Sequence, residues 1–331
     1  MSGGPPRAPG SLAQVSADVS AALDRLLELP GVADAVTQAR EACTQLRWHP
    51  ALRRRTAEAA AESRVRAARS SAALDGARLP VAMFRDAVRG AQPLPDDPVG
   101  KVAHGALRAV AETEHLGPAW QTRPGQVMAR LHLAAATGVL GEADLGRPRL
   151  PDEPPREGTV QIPAPMGTAL RARLQQLADL LAAPPSAPAL LVAALVHAEV
   201  MTARPFAACN GVVARALARA VIVTRGLDPY GIAVWEAGHL ASGPSYPAAL
   251  AGYASGRPTG IALWLKTAAK AIVDGAGEGS AVCDAVVAGR FAPGPVPPQG
   301  EPPQSERLPG EPLPGDRLPG EPPPGVEPSQ D

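Results

Sequence analysis

Twelve consecutive residues concentrate the chemistry of this chain: Arg204-Pro205-Phe206-Ala207-Ala208-Cys209-Asn210-Gly211-Val212-Val213-Ala214-Arg215. From Asn210 the stretch continues as an apolar run to about Arg225, which reads as a helix entered from a loop. A helix start carries unpaired backbone N–H groups and the positive end of the macrodipole, so it favours an anion. Gly211 permits close backbone approach, and Arg215 lies about one turn inside, on a face that can reach the same anion. Arg204 would add charge from the other side of the loop. These residue types predict a phosphate-bearing anion held without a divalent metal. They do not supply acid–base chemistry, because a guanidinium stays protonated and accepts no hydrogen bond.

The same stretch resembles the signature of the Fic (Fido) family, H-P-F-x-[D/E]-G-N-G-R-x-x-R. Pro205, Phe206, Asn210, Gly211 and Arg215 fall on it without gaps, whereas Arg204, Ala208, Cys209 and Val212 depart from it. The resemblance implies transfer of AMP from ATP to a protein hydroxyl, and each departure removes part of that chemistry. The family His is the general base, and Arg204 stands in its place. The family acid holds magnesium on the nucleotide phosphates, and Ala208 offers no ligand. Of two arginines that grip phosphate, Val212 replaces the first and Arg215 keeps the second. The resemblance therefore places ATP or another nucleotide on Arg204, Cys209, Asn210, Gly211 and Arg215, with no dedicated magnesium ligand and no metal residue. It also sets Cys209 just before a helix N-terminus, where a thiol's pKa is lowered; the plainer reading is a small residue filling the glycine position.

Upstream, Ser70-Ser71-Ala72-Ala73-Leu74-Asp75-Gly76 is similar to the family's inhibitory motif, [S/T]-x-x-x-E-[G/N], with Ser71, Asp75 and Gly76 on it. The resemblance implies that Asp75 pairs with Arg215 and blocks a γ-phosphate, although Asp is one methylene shorter than Glu. A helix ending at Leu74 or Asp75 with Gly76 as its left-handed cap is compatible with that reading. Within an Arg/Pro/Gly-rich connector, Gly158-Thr159-Val160-Gln161-Ile162-Pro163 alternates as a short strand would. Fic proteins carry a target-clamping β-hairpin flap in this slot, so Thr159, Val160, Gln161 and Ile162 are expected to form it and to capture a protein target by main-chain pairing. His197, on the apolar run Leu190 to Met201, reads as a buried, hydrogen-bonded core histidine.

The elements that would position these residues are helical. Helical patterns run through residues 11–90, and then over Val99–Glu114, Pro124–Thr137, Gly167–Ala182, Ala187–Ala203, Asn210–Arg225, Ile232–Ala241 and onward from Thr259. Tyr246 falls in a segment similar to the family's tyrosine-containing helix after the signature. The resemblance covers about residues 70 to 275. Aromatic residues make up 3% of the 331 residues, so Ala, Leu and Val must fill the core, which favours close helix packing over sheet. The expected architecture is an all-α, Fic-like helical bundle with a short β-hairpin flap. Its parts are a flexible N-terminus (1–10), an N-terminal helical region with the inhibitory-like motif (11–90), the Fic-like domain (98–290), and a disordered Pro/Gly/Glu-rich tail (291–331).

Composition narrows the setting. Basic and acidic residues balance at 32 each, which gives no global pull toward nucleic acid or membrane. Arginines crowd residues 47–69, but Glu58 and Glu62 share the segment and no aromatics interleave, which argues for a solvated helix face over a nucleic-acid site. Three cysteines, Cys43, Cys209 and Cys283, are too few and scattered for a disulfide framework or zinc site. No signal peptide and no membrane-length apolar run is visible, so the expected location is cytoplasmic. The near-repeat of Leu-Pro-Gly-Glu-Pro after Arg307 and Arg317 reads as an acidic spacer, a Pro-rich partner ligand being the alternative. Oligomeric state leaves no mark. The reading that results is a pseudoenzyme or regulatory binding protein with a residual phosphate site; the alternative is an active nucleotidyl- or phosphoryl-transferase with non-standard chemistry.

Overall fold

The computed structural model describes residues 12–117, 122–150, 152–157 and 162–290, with side chains from residue 18 onward. The expected flexible start (1–10), Thr159, Val160 and Gln161 of the expected flap, and the Pro-rich tail (291–331) lie outside the described residues.

Twelve α-helices account for the described fold: α1 Leu12–Leu27, α2 Val32–Arg47, α3 Thr56–Leu74, α4 Val81–Arg89, α5 Pro98–Glu112, α6 Pro124–Ala136, α7 Gly167–Leu181, α8 Ala189–Ala203, α9 Asn210–Thr224, α10 Trp235–Ala241, α11 Ser245–Ala254 and α12 Pro258–Val287. Local chemistry sets several boundaries. Asp97 caps α5, its Oδ1 accepting from Gly100 N at 2.7 Å, and Pro98 occupies the first helical turn, where a missing N–H costs nothing. α6 and α12 likewise begin at prolines.

α8 and α9 form the centre. Every residue of α8 from Leu190 to Ala203 is buried except Glu199, and so is every residue of α9 from Asn210 to Ile222. A helix apolar all round must be covered on all sides. α9 accordingly packs on α8, α6, α5 and α3, while α8 is covered by α7, α11, α12 and α2. α10 bridges α3 and α12. The approach of α10 to α12 is close enough to require glycine: a Cβ on Gly275 would lie 2.7 Å from Trp235 Cα. With few aromatics to spend, the chain fills its core with Ala, Leu and Val and buries Trp235, Trp264, Phe84 and Phe206 completely.

The bundle is all-helical, and the expected β-hairpin flap is corrected. Among the described residues there is no β-strand, only an isolated bridge between Thr137 and Leu140. The physical reason lies in the connector's backbone. Arg149 N donates to Pro205 O at 2.8 Å and Arg156 N to Ala207 O at 2.6 Å, so the described connector is tied to the loop before α9 and not paired with itself in a ladder. Pro148, Pro154, Pro155, Pro163 and Pro165 have no donor to give. Ile162, the one described member of the expected flap, stands in a bend. No described helix is long and apolar enough to cross a membrane.

Candidate functional site

The loop 204–209 links the two buried helices, and its sequence explains its shape. Arg204 and Cys209 are the two non-glycine residues with positive φ among those described, at 44° and 62°. Cys209 stands where the family pattern has glycine, and the left-handed backbone there is the conformation glycine adopts without strain. Asn210 ties the loop to the helix. Its Oδ1 accepts from Phe206 N and its Nδ2 donates to Phe206 O, both at 2.9 Å, a pair of bonds that needs an amide. Phe206 is stacked on His132, ring centroids 4.0 Å apart. His132 is completely buried, which pushes its pKa down to about 4.

Arg149 braces the same loop from the connector. Its Nε donates to Arg204 O at 2.7 Å and its Nη2 to Ala203 O at 3.2 Å, satisfying carbonyls at the end of α8. The Arg204 guanidinium turns to the connector and donates to Ile162 O. Burial lowers its pKa while the charge of Glu157 opposes that change.

The inhibitory-like residues meet the signature at Arg215. Asp75, the residue after α3, places Oδ1 2.8 Å from Arg215 Nη2. Ser71 completes the grip: Arg215 Nε donates to its Oγ at 2.8 Å and Nη2 to its carbonyl at 3.0 Å. Gly76 follows with φ 93°, so the ion pair and the end of α3 are built from adjoining residues. Asp75 also lies over the first turn of α9. A Cβ on Gly211 would stand 3.0 Å from Asp75 Cγ and closer still to both its oxygens, so glycine is what admits the carboxylate.

A cavity of about 330 Å³ opens against this pair, lined among others by Asp75, Arg78, Met201, Arg215, Tyr246 and Leu250. The Tyr246 hydroxyl hydrogen-bonds His197 Nε2 at 2.8 Å, and burial pushes its pKa up to about 12 against the pull of Arg215. His197 is fully buried among Trp235, His239 and Trp264, with ring centroids 5.0–5.1 Å away. Burial, then His239 and Arg215, hold its pKa well below the ordinary value, so it is neutral and structural.

Two groups that no motif singles out complete the site. One is Arg149, described above. The other is Glu157, whose Oε2 accepts from Asn210 N at 3.1 Å and whose Oε1 accepts from Asn210 Nδ2 at 2.7 Å. Burial raises its pKa to about 7; the two bonds from Asn210 oppose that shift, and the nearby Asp75 charge adds to it. The α9 N-terminus thus faces carboxylates of the chain itself. Cys209, beside them, has its pKa pushed up to about 12 by burial, with Glu157 and Asp75 adding to it, so the helix start does not make it a thiolate. Ala208 and Val212 are buried or apolar and contribute no ligand atoms. Among the described residues no three His, Cys, Asp or Glu side chains cluster as metal ligands would.

The described fold is that of Fic proteins. A Fic family protein from Desulfovibrio desulfuricans G20 is 18% identical, with a TM-score of 0.62 over 80% of this chain and 76% of that one. Fic-1 from C. elegans (residues 134–508) is 17% identical, with a TM-score of 0.55 over 84% of this chain and 76% of that one. A Fic domain containing signaling protein from Bacteroides thetaiotaomicron VPI-5482 is 12% identical, with a TM-score of 0.53 over 76% of this chain and 98% of that one. No family profile matches the sequence, and no curated protein does.

Proposed function

We propose that the chain is a divergent Fic protein working as a nucleotide-responsive binding or regulatory pseudoenzyme, whose cavity beside Arg215 takes a nucleotide once the Asp75 lock is released. The observation that carries this reading is the Asp75–Arg215 ion pair at 2.8 Å on the cavity wall. A carboxylate that neutralises a buried guanidinium does what a phosphate would do in its place. The fold supports the family, and the residues argue against its usual transfer chemistry. Position 204 carries a guanidinium already donating to Ile162 O, so no titrating base stands there, and position 208 is an alanine.

The test is calorimetry with ATP, ADP and AMP in EDTA. Asp75→Ala is expected to bind at least one of them about tenfold more tightly than the natural chain, and Arg215→Ala to lose binding. Absence of heat for every nucleotide in Asp75→Ala overturns the nucleotide reading. Labelled ATP given with a lysate tests the pseudoenzyme reading separately. Labelled proteins that vanish with Arg215→Ala would establish the active transferase instead.

A further inference from the structure

The connector and the end of α3 bring two carboxylates to the first turn of α9. Asp75 covers Gly211 from one side, and Glu157 holds both Asn210 donors from the other. Glu157 is 53 residues from Asn210 in sequence, so this contact comes from folding and not from a local cap. Its orientation is specific, with one oxygen on the backbone N–H and the other on the side-chain amide. An oxyanion arriving at the helix start would need that same backbone N–H.

We propose that Glu157 is a built-in plug of the α9 N-terminus, a second autoinhibitory carboxylate distinct from the Asp75–Arg215 lock, which a phosphate- or sulfate-type oxyanion must displace to bind. The proposal rests on the anion-site reading given above. It assigns Glu157 a role that neither the signature nor the inhibitory-like motif contains.

The plug responds to pH in a direction fixed by its surroundings. The groups facing Glu157 are Asp75 from the end of α3, Arg204 and Cys209 from the loop, and Asn210 from α9, with Arg108 beyond Cys209. Seated, Glu157 titrates at about 7, whereas its ordinary value is 4.5. The seated form therefore binds the proton more tightly, so protonation favours the plug and alkaline pH loosens it. For those two values the plug weakens roughly tenfold between about pH 6 and about pH 8.

Sulfate is the probe, because its charge does not change over that interval. Titrated into the full chain and followed by calorimetry or by the Asn210 amide NMR signal, it should bind about tenfold more tightly at about pH 8 than at about pH 6. Glu157→Ala should bind it more tightly than the natural chain at both pH values and without that slope. Glu157→Gln keeps one of the two acceptors and cannot ionise, so its sulfate affinity should be flat with pH, a readout available even where the alanine variant folds poorly. Equal sulfate affinity in the natural chain and a folded Glu157→Ala, or an unaltered slope in Glu157→Gln, overturns the plug. The two readings fail separately. Sulfate binding that follows Glu157 while Asp75→Ala ignores every nucleotide sinks the nucleotide reading and leaves the plug standing; nucleotide binding in Asp75→Ala that ignores Glu157 does the reverse.

Discussion

Arg215 and Arg219 sit one turn apart on α9, both buried and both paired with a carboxylate, yet their surroundings differ. Arg219 Nη1 reaches Glu236 Oε2 at 3.2 Å and Ala233 O at 3.3 Å, and Nη2 reaches Gly231 O at 2.7 Å. Glu236 is completely buried. Arg215 instead meets Asp75 at the wall of a cavity, and the Asp75 side chain retains 13% exposure. Burial opposes the Arg215 charge, and its interactions with Asp75 first and then Tyr246 outweigh that and raise the pKa. Arg219 also lines a cavity, of about 280 Å³, but Glu236 does not, so the carboxylate of the first pair is sealed away from solvent. The second has an opening through which water or an anion can take the carboxylate's place, which is the difference between a fixed strut and an exchangeable contact.

Removing one partner should expose that difference. Glu236→Ala leaves Arg219 uncompensated and is expected to cost about 3–5 kcal/mol, read by urea unfolding. Asp75→Ala should cost less, about 1–2 kcal/mol, because solvent from the cavity reaches Arg215. The sharper result is rescue: millimolar sulfate or ATP should raise the midpoint of Asp75→Ala and leave Glu236→Ala unmoved. Equal costs without rescue would make both pairs struts.

How far this contrast could be foreseen varied along the chain. The apolar runs that become α8 and α9 announce themselves, because a helix buried on all sides has no polar face to blur it. The α10 start did not: Ile232 to Val234 lie before the helix, Ala233 N donating to Asp228 Oδ2 at 2.7 Å and Val234 N to Gly275 O at 2.9 Å. The alternation at residues 158–163 suggested a strand, but period two over six residues says nothing about where backbone donors go, and those of Arg149 and Arg156 go to the loop before α9. Glu157 was invisible for a related reason. An acid in a proline-rich connector has no spacing that encodes a partner 53 residues away.

Glu157 yields the next smaller effect, on stability. Its folded-state pKa of about 7 exceeds the ordinary 4.5, so the folded state binds the extra proton between those values. That contribution is fully present below about 4.5 and is lost as pH rises through about 7. Subtracting the unfolding free energy of Glu157→Gln from that of the natural chain at each pH should therefore give a difference that falls by up to about 3 kcal/mol over that window. A flat difference would mean that the seated carboxyl is as well solvated as a free one.

The smallest expected effect belongs to Cys209, and two opposing terms decide it. A non-glycine residue at φ 62° carries left-handed strain of about 1–2 kcal/mol, which glycine relieves. Against this, glycine adds about 0.5–1 kcal/mol of backbone entropy to the unfolded chain, and a half-buried thiol packed against the core is lost. Cys209→Gly should thus stabilise by no more than about 1 kcal/mol, seen as a small rise in urea midpoint with unchanged slope. It should also leave sulfate affinity at the α9 N-terminus unchanged, since Glu157 and Asn210 do not depend on the thiol. Destabilisation by more than about 1 kcal/mol would show that Cys209 packing, and not backbone strain, governs this position, and would put the loop with the struts.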